Sequence, residues 1–119
     1  MIYFDLEAWK VSMELAQKIY EITRMFPREE IYGLSAQMRR AAVSIPSNIA
    51  EGTARQSDKD ALRFMRIAQG SFAELETQII LAQRIGFLAI DEETQTLLKR
   101  CGRLLTGLAQ HTERRCQNT

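Results

Sequence analysis

The sequence predicts an all-α protein, an antiparallel up-down-up-down four-helix bundle whose second helix is kinked at Pro46. Three observations predict it. Apolar residues recur at steps of three and four through four separate stretches, which is the helical period. Only two prolines and six glycines punctuate 119 residues, too few for a many-stranded fold. The connections between the stretches are short, which favours antiparallel neighbours. A chain of this length reads as one domain, 1–119, large enough to bury a core without disulfides or metal. The expected helices cover about 5–26, 31–52, 58–85 and 91–113, with a fraying tail over 114–119.

Helix 1 carries two apolar stripes. Leu6, Trp9, Met13, Ala16, Tyr20 and Thr23 form one, and Val11, Leu15, Ile19, Ile22 and Phe26 the other. At about 100° per residue the stripes together cover an arc of roughly 200°. A surface helix needs little more than about half that arc. Either helix 1 is the most central helix of the bundle, or one edge faces the bundle and the other a partner chain. The second alternative is preferred. Pro27 ends the helix, because proline disfavours helical geometry at the residue before it.

Helix 2 starts between Glu29 and Ser35 and buries Leu34, Met38, Ala41, Ile45 and Ile49. Gly52 is expected to stop it in the left-handed conformation. Within a helix Pro46 removes the hydrogen bond to the Ala42 carbonyl and clashes with it, at roughly 3 kcal/mol in an isolated helix. The apolar phase stays on one face across the proline, so a kink is expected rather than a break. Ala41, Ala42 and Ser44 are small enough to let a neighbouring helix approach.

Helix 3 opens on Ser57 as N-cap, with Asp60 three residues on and Asp58 complementing the helix dipole. Its core stripe is Ala61, Phe64, Met65, Ala68, Phe72, Leu75, Ile79 and Ala82, and Gly86 ends it. Asp91 caps helix 4, which places Glu92 and Glu93 in its first turn and buries Leu97, Cys101, Leu104, Leu105 and Leu108.

Composition excludes several function classes. Apolar residues make up 45% and charged residues 26%, a globular balance, and sixteen basic against fifteen acidic residues give a net charge of +1 that advertises no nucleic acid or membrane partner. No apolar run approaches the roughly 18 residues that span a bilayer. The start "MIYFDLEAWK" lacks the basic region and apolar block of a signal peptide. Cys101 has the phase of a core residue, and a buried thiol suits a reducing cytoplasm. No Gly-rich phosphate loop, HExxH, CxxC or nucleophile elbow occurs. His111 is the sole histidine, so neither a serine–histidine pair nor the paired Glu-x-x-His of a di-iron bundle can form. No enzyme activity, cofactor or metal is expected.

Two polar patterns remain. Gln37, Ser44, Asn48 and Glu51 line one edge of helix 2, and Ser71 and Glu74 form a similar set on helix 3. Buried without partners, such groups cost about 1–3 kcal/mol each. They read as a structural seam that fixes helix register, with a ligand site or subunit contacts as alternatives. Arg40, beside the seam, is expected to pair with an acid, and Arg39 to point outward. The second pattern is basic. Lys59, Arg63 and Arg66 lie opposite the core stripe of helix 3, with Arg84 on the same face, Arg55 in the connection before them, and Lys99 and Arg103 on the outside of helix 4. This is either a solvated face or a phosphate-binding stripe for RNA or DNA, repeated around an oligomer so that weak contacts add.

The segments "DLEAWKVSMELAQKIYEIT", "FPREEIYGLSAQMRRAAVSIPSNIAEGTAR" and "RFMRIAQGSFAELETQI" resemble the four-helix-bundle family encoded by intervening sequences in bacterial 23S ribosomal RNA genes. The resemblance spans about Phe4 to Phe87, and Gly33–Gly52 is its most specific part. The family is similar in turn to the accessory variability proteins of diversity-generating retroelements. The resemblance implies an antiparallel four-helix bundle assembled into a cyclic homopentamer. The retroelement relatives carry strongly basic surfaces and associate with a reverse transcriptase and nucleic acid; this chain, at net +1, departs from them there. Two functions stand at this point: a non-enzymatic homo-oligomeric scaffold, and a sequence-independent nucleic-acid binder accessory to a nucleic-acid enzyme.

Overall fold

The computed structural model describes residues 3–118; Met1, Ile2 and Thr119 lie outside them. Four α-helices and no strand make up the described residues: α1 (Glu7–Thr23), α2 (Leu34–Thr53), α3 (Asp58–Arg84) and α4 (Glu92–Gln117), with single 3-10 turns at Tyr3–Asp5 and Arg28–Tyr32. The helices form a four-helix bundle. α1 packs against α2 and α4, α3 packs against the same two, and among the described residues neither diagonal pair brings its backbones close. Val11, Leu15 and Ile19 of α1 meet Met38, Ile45 and Ile49 of α2, Leu75 and Ile79 of α3, and Cys101 and Leu105 of α4 in one continuous core.

Local chemistry sets the helix ends. The Ser57 hydroxyl accepts from the Asp60 N–H at 3.1 Å, and Asp91 Oδ1 accepts from the Thr94 N–H at 2.8 Å, so both long helices begin on a satisfied N-cap. Hydrogen bonds from Thr94 hold the Asp91 carboxyl below its ordinary pKa. Its contribution is therefore present above the ordinary carboxylate range and is lost as pH falls through the lowered folded value. Gly86 ends α3 at φ 84°, and the Phe87 N–H donates to the Ala82 carbonyl at 2.9 Å. That closure suits glycine, which alone tolerates the left-handed turn without strain. It also delivers Phe87 onto Phe26, ring centroids 5.6 Å apart.

Several boundaries differ from those the sequence suggests. α1 closes at Thr23, where the Met25 and Phe26 N–H groups donate three residues back and tighten the chain before Pro27. α2 begins at Leu34 because Arg28–Tyr32 winds as a 3-10 turn; Glu30 reaches forward to accept from the Leu34 N–H at 3.2 Å. α4 runs on through Gln117, where fraying was expected from Arg114. Arg115 pairs with Asp58 at 3.3 Å, and the Asn118 N–H donates to the Arg114 and Arg115 carbonyls, so the last turn is held.

α2 passes unbroken through Pro46, which is itself buried. Gly52 does not stop the helix. It lies inside α2, and the one glycine with positive φ among the described residues is Gly86. Its role is spatial: a Cβ built at Gly52 would meet Met65 Cε at 2.7 Å, Phe64 Cβ at 3.0 Å and the Ala61 carbonyl oxygen at 3.3 Å. Gly70 on α3 is the control, since a Cβ there meets nothing within 4 Å.

This pair yields a direct test. Gly52→Ala should lower stability by about 1–3 kcal/mol through overpacking. Gly70→Ala should raise it by about 0.4–1 kcal/mol by restricting the unfolded chain. Denaturant titration of both variants checks the opposite signs.

Candidate functional site

The polar seam resolves into a small network with an exposed rim. Ser44 and Ser71 share a hydroxyl–hydroxyl hydrogen bond of 2.8 Å between α2 and α3. Asn48 Nδ2 donates to Ser44 Oγ at 2.9 Å and to the Ser44 carbonyl at 2.8 Å. Asn48 thus holds the Ser44 hydroxyl, within a helical turn of Pro46, and Ser44 in turn meets Ser71. Gln37, Arg40, Glu51 and Glu74 are exposed. Glu51 lies 3.8 Å from Arg55, and Glu74 accepts from Gln78 Nε2 at 3.2 Å. Gln78, which the sequence reading did not single out, is buried, and its Oε1 has no partner among the described residues. Its signal was the spacing 71, 74, 78, which continues the polar edge of α3.

The two arginines exchange roles. Arg39, expected to point outward, donates from Nε to Thr23 Oγ1 at 2.8 Å and lies 4.7 Å from the centre of the Tyr20 ring. Arg40, expected to pair with an acid, is exposed and has no ion pair among the described residues. The cause is the edge of α2 that meets α1. Ser35, Ala42 and Pro46 are buried along it, and Arg39 continues that row four residues after Ser35 and three before Ala42.

The six basic candidates do not form one stripe. Arg55 and Arg63 place their guanidinium carbons 4.5 and 4.6 Å from the centre of the Phe64 ring, with Lys59 in the same segment exposed and in no ion pair among the described residues. Arg66 is neutralised by Glu113 at 3.0 Å and also donates to Gln69. Lys99 and Arg103 stand apart, on the wall of a groove between α3 and α4. Gly102 in that groove sits against Phe72, nine residues beyond Arg63 and hence about 13 Å further along α3.

Several grooves open on the surface. One, of about 710 Å³, runs past Arg39, Arg40, Ser44, Ser71 and Glu74. The α3–α4 groove, of about 690 Å³, is lined by Phe72, Leu98 and Leu105 beneath Lys99, Arg103 and Glu76. The α1–α2 groove, of about 560 Å³, is lined by Tyr3, Trp9, Met13, Tyr20, Val43 and Pro46, with Glu14 at its edge. The first apolar stripe of α1 is therefore only partly used inside the bundle: Met13 and Tyr20 stay 44% and 39% exposed, whereas Val11, Leu15 and Ile19 are buried.

A family model described as 23S rRNA-intervening sequence protein matches residues 4–110. The chain belongs to this family. The match takes in all of the first three helices of this intervening-sequence protein and most of α4. No curated protein matches the chain. Among the described residues no group of three or more His, Cys, Asp or Glu could hold a metal ion, and no helix is long and apolar enough to cross a membrane.

The two thiols differ sharply. Cys101 is fully buried, and burial pushes its thiol up to about 12, whereas Cys116 near the end of α4 is partly exposed. A thiol reagent at pH 8 should label one cysteine per folded chain and two in denaturant. A single native label on Cys116, located by mass spectrometry, is the expected outcome.

Proposed function

We propose that this intervening-sequence protein is a non-enzymatic cytoplasmic scaffold that assembles with copies of itself through its α1–α2 face, five to a ring as the family resemblance implies. The supporting observation is the composition of that face. Tyr3, Met13, Tyr20 and Val43 are each more than a third exposed, and they surround one apolar groove. A contiguous apolar patch rimmed by polar groups marks a surface that meets another macromolecule. From this helix the interior buries Ala8, Val11, Ser12, Leu15, Ala16, Ile19 and Thr23, so the fold itself does not call for Met13 and Tyr20 of the first stripe.

Light scattering at micromolar concentration should give a multiple of the 13.7 kDa chain mass. Met13→Lys with Tyr20→Lys should reduce the mass to one chain while the helical circular dichroism signal is kept. A wild-type mass of one chain would overturn the proposal.

A second function, sequence-independent binding of RNA or DNA in support of a nucleic-acid enzyme such as a reverse transcriptase, is favoured by one observation. Arg55, Lys59 and Arg63 cluster at the α2–α3 connection, and only Arg55 has an acid nearby. Aromatic contact holds the two guanidinium groups without neutralising them, which leaves their charge for phosphates. Binding should weaken steeply with salt. Lys59→Gln with Arg63→Gln should lower affinity for all sequences alike and flatten the logarithmic salt slope by about one per contact removed. Absence of retardation at low salt would leave the scaffold function alone.

A further inference from the structure

The recess between α3 and α4 is used neither by assembly through α1–α2 nor by the cluster of Arg55, Lys59 and Arg63. Its volume of about 690 Å³ falls inside the range of roughly 300–1,000 Å³ typical of small-molecule sites. Such sites join an apolar floor to a few polar groups that fix orientation. Here Phe72 and Leu105 are buried at the floor, with Leu98 half-buried beside them. Gly102 and Gly107 leave the α4 backbone bare along it. Gly102 has a reason within the chain, since a Cβ there would lie 3.1 Å from the Phe72 ring. Gly107 has none: it is exposed, and a Cβ would meet nothing within 4 Å. Only proline is a poorer residue inside a helix. A glycine that packing does not require leaves room for something to approach the backbone closely.

Charge is unevenly spread along the recess. Glu76 and Lys99 stand at one end, where both also line the next hollow between the same two helices, with Ile80 and Gln95. Their opposite charges offset one another there. Arg103, one turn further along α4, does not border that second hollow and is in no ion pair among the described residues. Beyond it the α4 wall is uncharged: Thr106, Gly107 and Gln110. Two cations and one carboxylate leave the recess a single positive charge in excess, and it falls to Arg103 above the apolar floor.

We propose that the α3–α4 recess binds a small aromatic carboxylate. The carboxylate takes the Arg103 guanidinium, whose planar fork matches two carboxylate oxygens. The flat apolar body lies over Phe72 and Leu105, against the bare backbone at Gly102 and Gly107. An aromatic ring suits this place on two counts. It is thin enough to rest on a helix backbone that carries no side chain, and it packs favourably against the Phe72 ring in an offset or edge-to-face arrangement. A neutral aromatic would leave Arg103 unused. A longer polyanion would run on to Glu76, where like charges repel. The inference is independent of self-association through the α1–α2 face and of nucleic-acid binding at the α2–α3 connection.

The six glycines of the chain provide a map for the test. Full-length protein carrying isotope-labelled glycine is titrated with naphthoate and, separately, with the uncharged naphthalenemethanol. Naphthoate should shift the Gly102 and Gly107 amide resonances saturably and leave those of Gly33, Gly52 and Gly86 in place. Arg103→Gln should weaken naphthoate about tenfold, as loss of one charge-assisted contact does, and leave the weaker binding of naphthalenemethanol unchanged. Gly107→Leu, which the open space at that position accommodates, should abolish binding of both while the helical signal is kept. The proposal is overturned if naphthoate moves neither glycine, or if the shifts spread to all glycines alike. An Arg103→Gln variant that binds naphthoate as tightly as the wild type overturns it too, as does a folded Gly107→Leu variant that still binds.

Discussion

The close approach of α2 and α3 is the constraint on which the rest of the bundle depends. At Gly52 the helices are so near that one added carbon would strike Met65, Phe64 and the Ala61 carbonyl. Nearer the middle of the two helices the same proximity brings the Ser44 and Ser71 hydroxyls into contact, and Asn48 holds that of Ser44 from within α2. Pro46 lies between these points. Its missing N–H weakens the helix ladder by one bond, yet the residues packed about it, Ala41, Ala42 and Ile45, are buried. Dense packing supplies many small dispersion contacts in place of one hydrogen bond. Small side chains on α2 are thus what allow a proline to sit inside a continuous helix.

Closeness on one side produces openness on others. α2 gives its narrow edges to α3 and α1, and where it lines the groove beside α1 its side chains are short in reach: Val43, Pro46, Ser47 and Ala50. Larger residues of α1 stand beside it and form the wall of a groove. A helix that must bury its partners closely cannot also cover their outer flanks, so Met13 and Tyr20 remain in contact with solvent in the single chain.

The fold was legible because four periodic stretches and their end signals agreed with one another. Ser57, Asp91 and Gly86 act as their positions suggested. Gly52 misled because a glycine near a helix end signals either a left-handed turn or a close neighbour, and only the path of α3 decides between them. The surface was less legible for a related reason. A helical wheel gives direction but not company: Arg39 and Arg40 are adjacent in sequence, and the position of Tyr20 and Thr23 on another helix determines which one is tied down. The basic residues looked continuous along α3, yet Glu113 comes from 47 positions away to neutralise Arg66 and divides them. The excess width of the apolar arc on α1, by contrast, needs no partner to be counted, and part of it, Met13 and Tyr20, is exposed in the single chain.

The extension of α4 to Gln117 has a consequence for the response to salt. Beyond Phe64 on α3 and Thr112 on α4, no described side chain is buried, and the two helices are joined there by the exposed pair of Arg66 with Glu113 and the partly shielded pair of Arg115 with Asp58. Pairs of this kind hold weakly and are screened by salt. The far tip of the bundle therefore rests on charge pairs rather than on buried apolar contact, and its stability is the part of the fold most sensitive to salt.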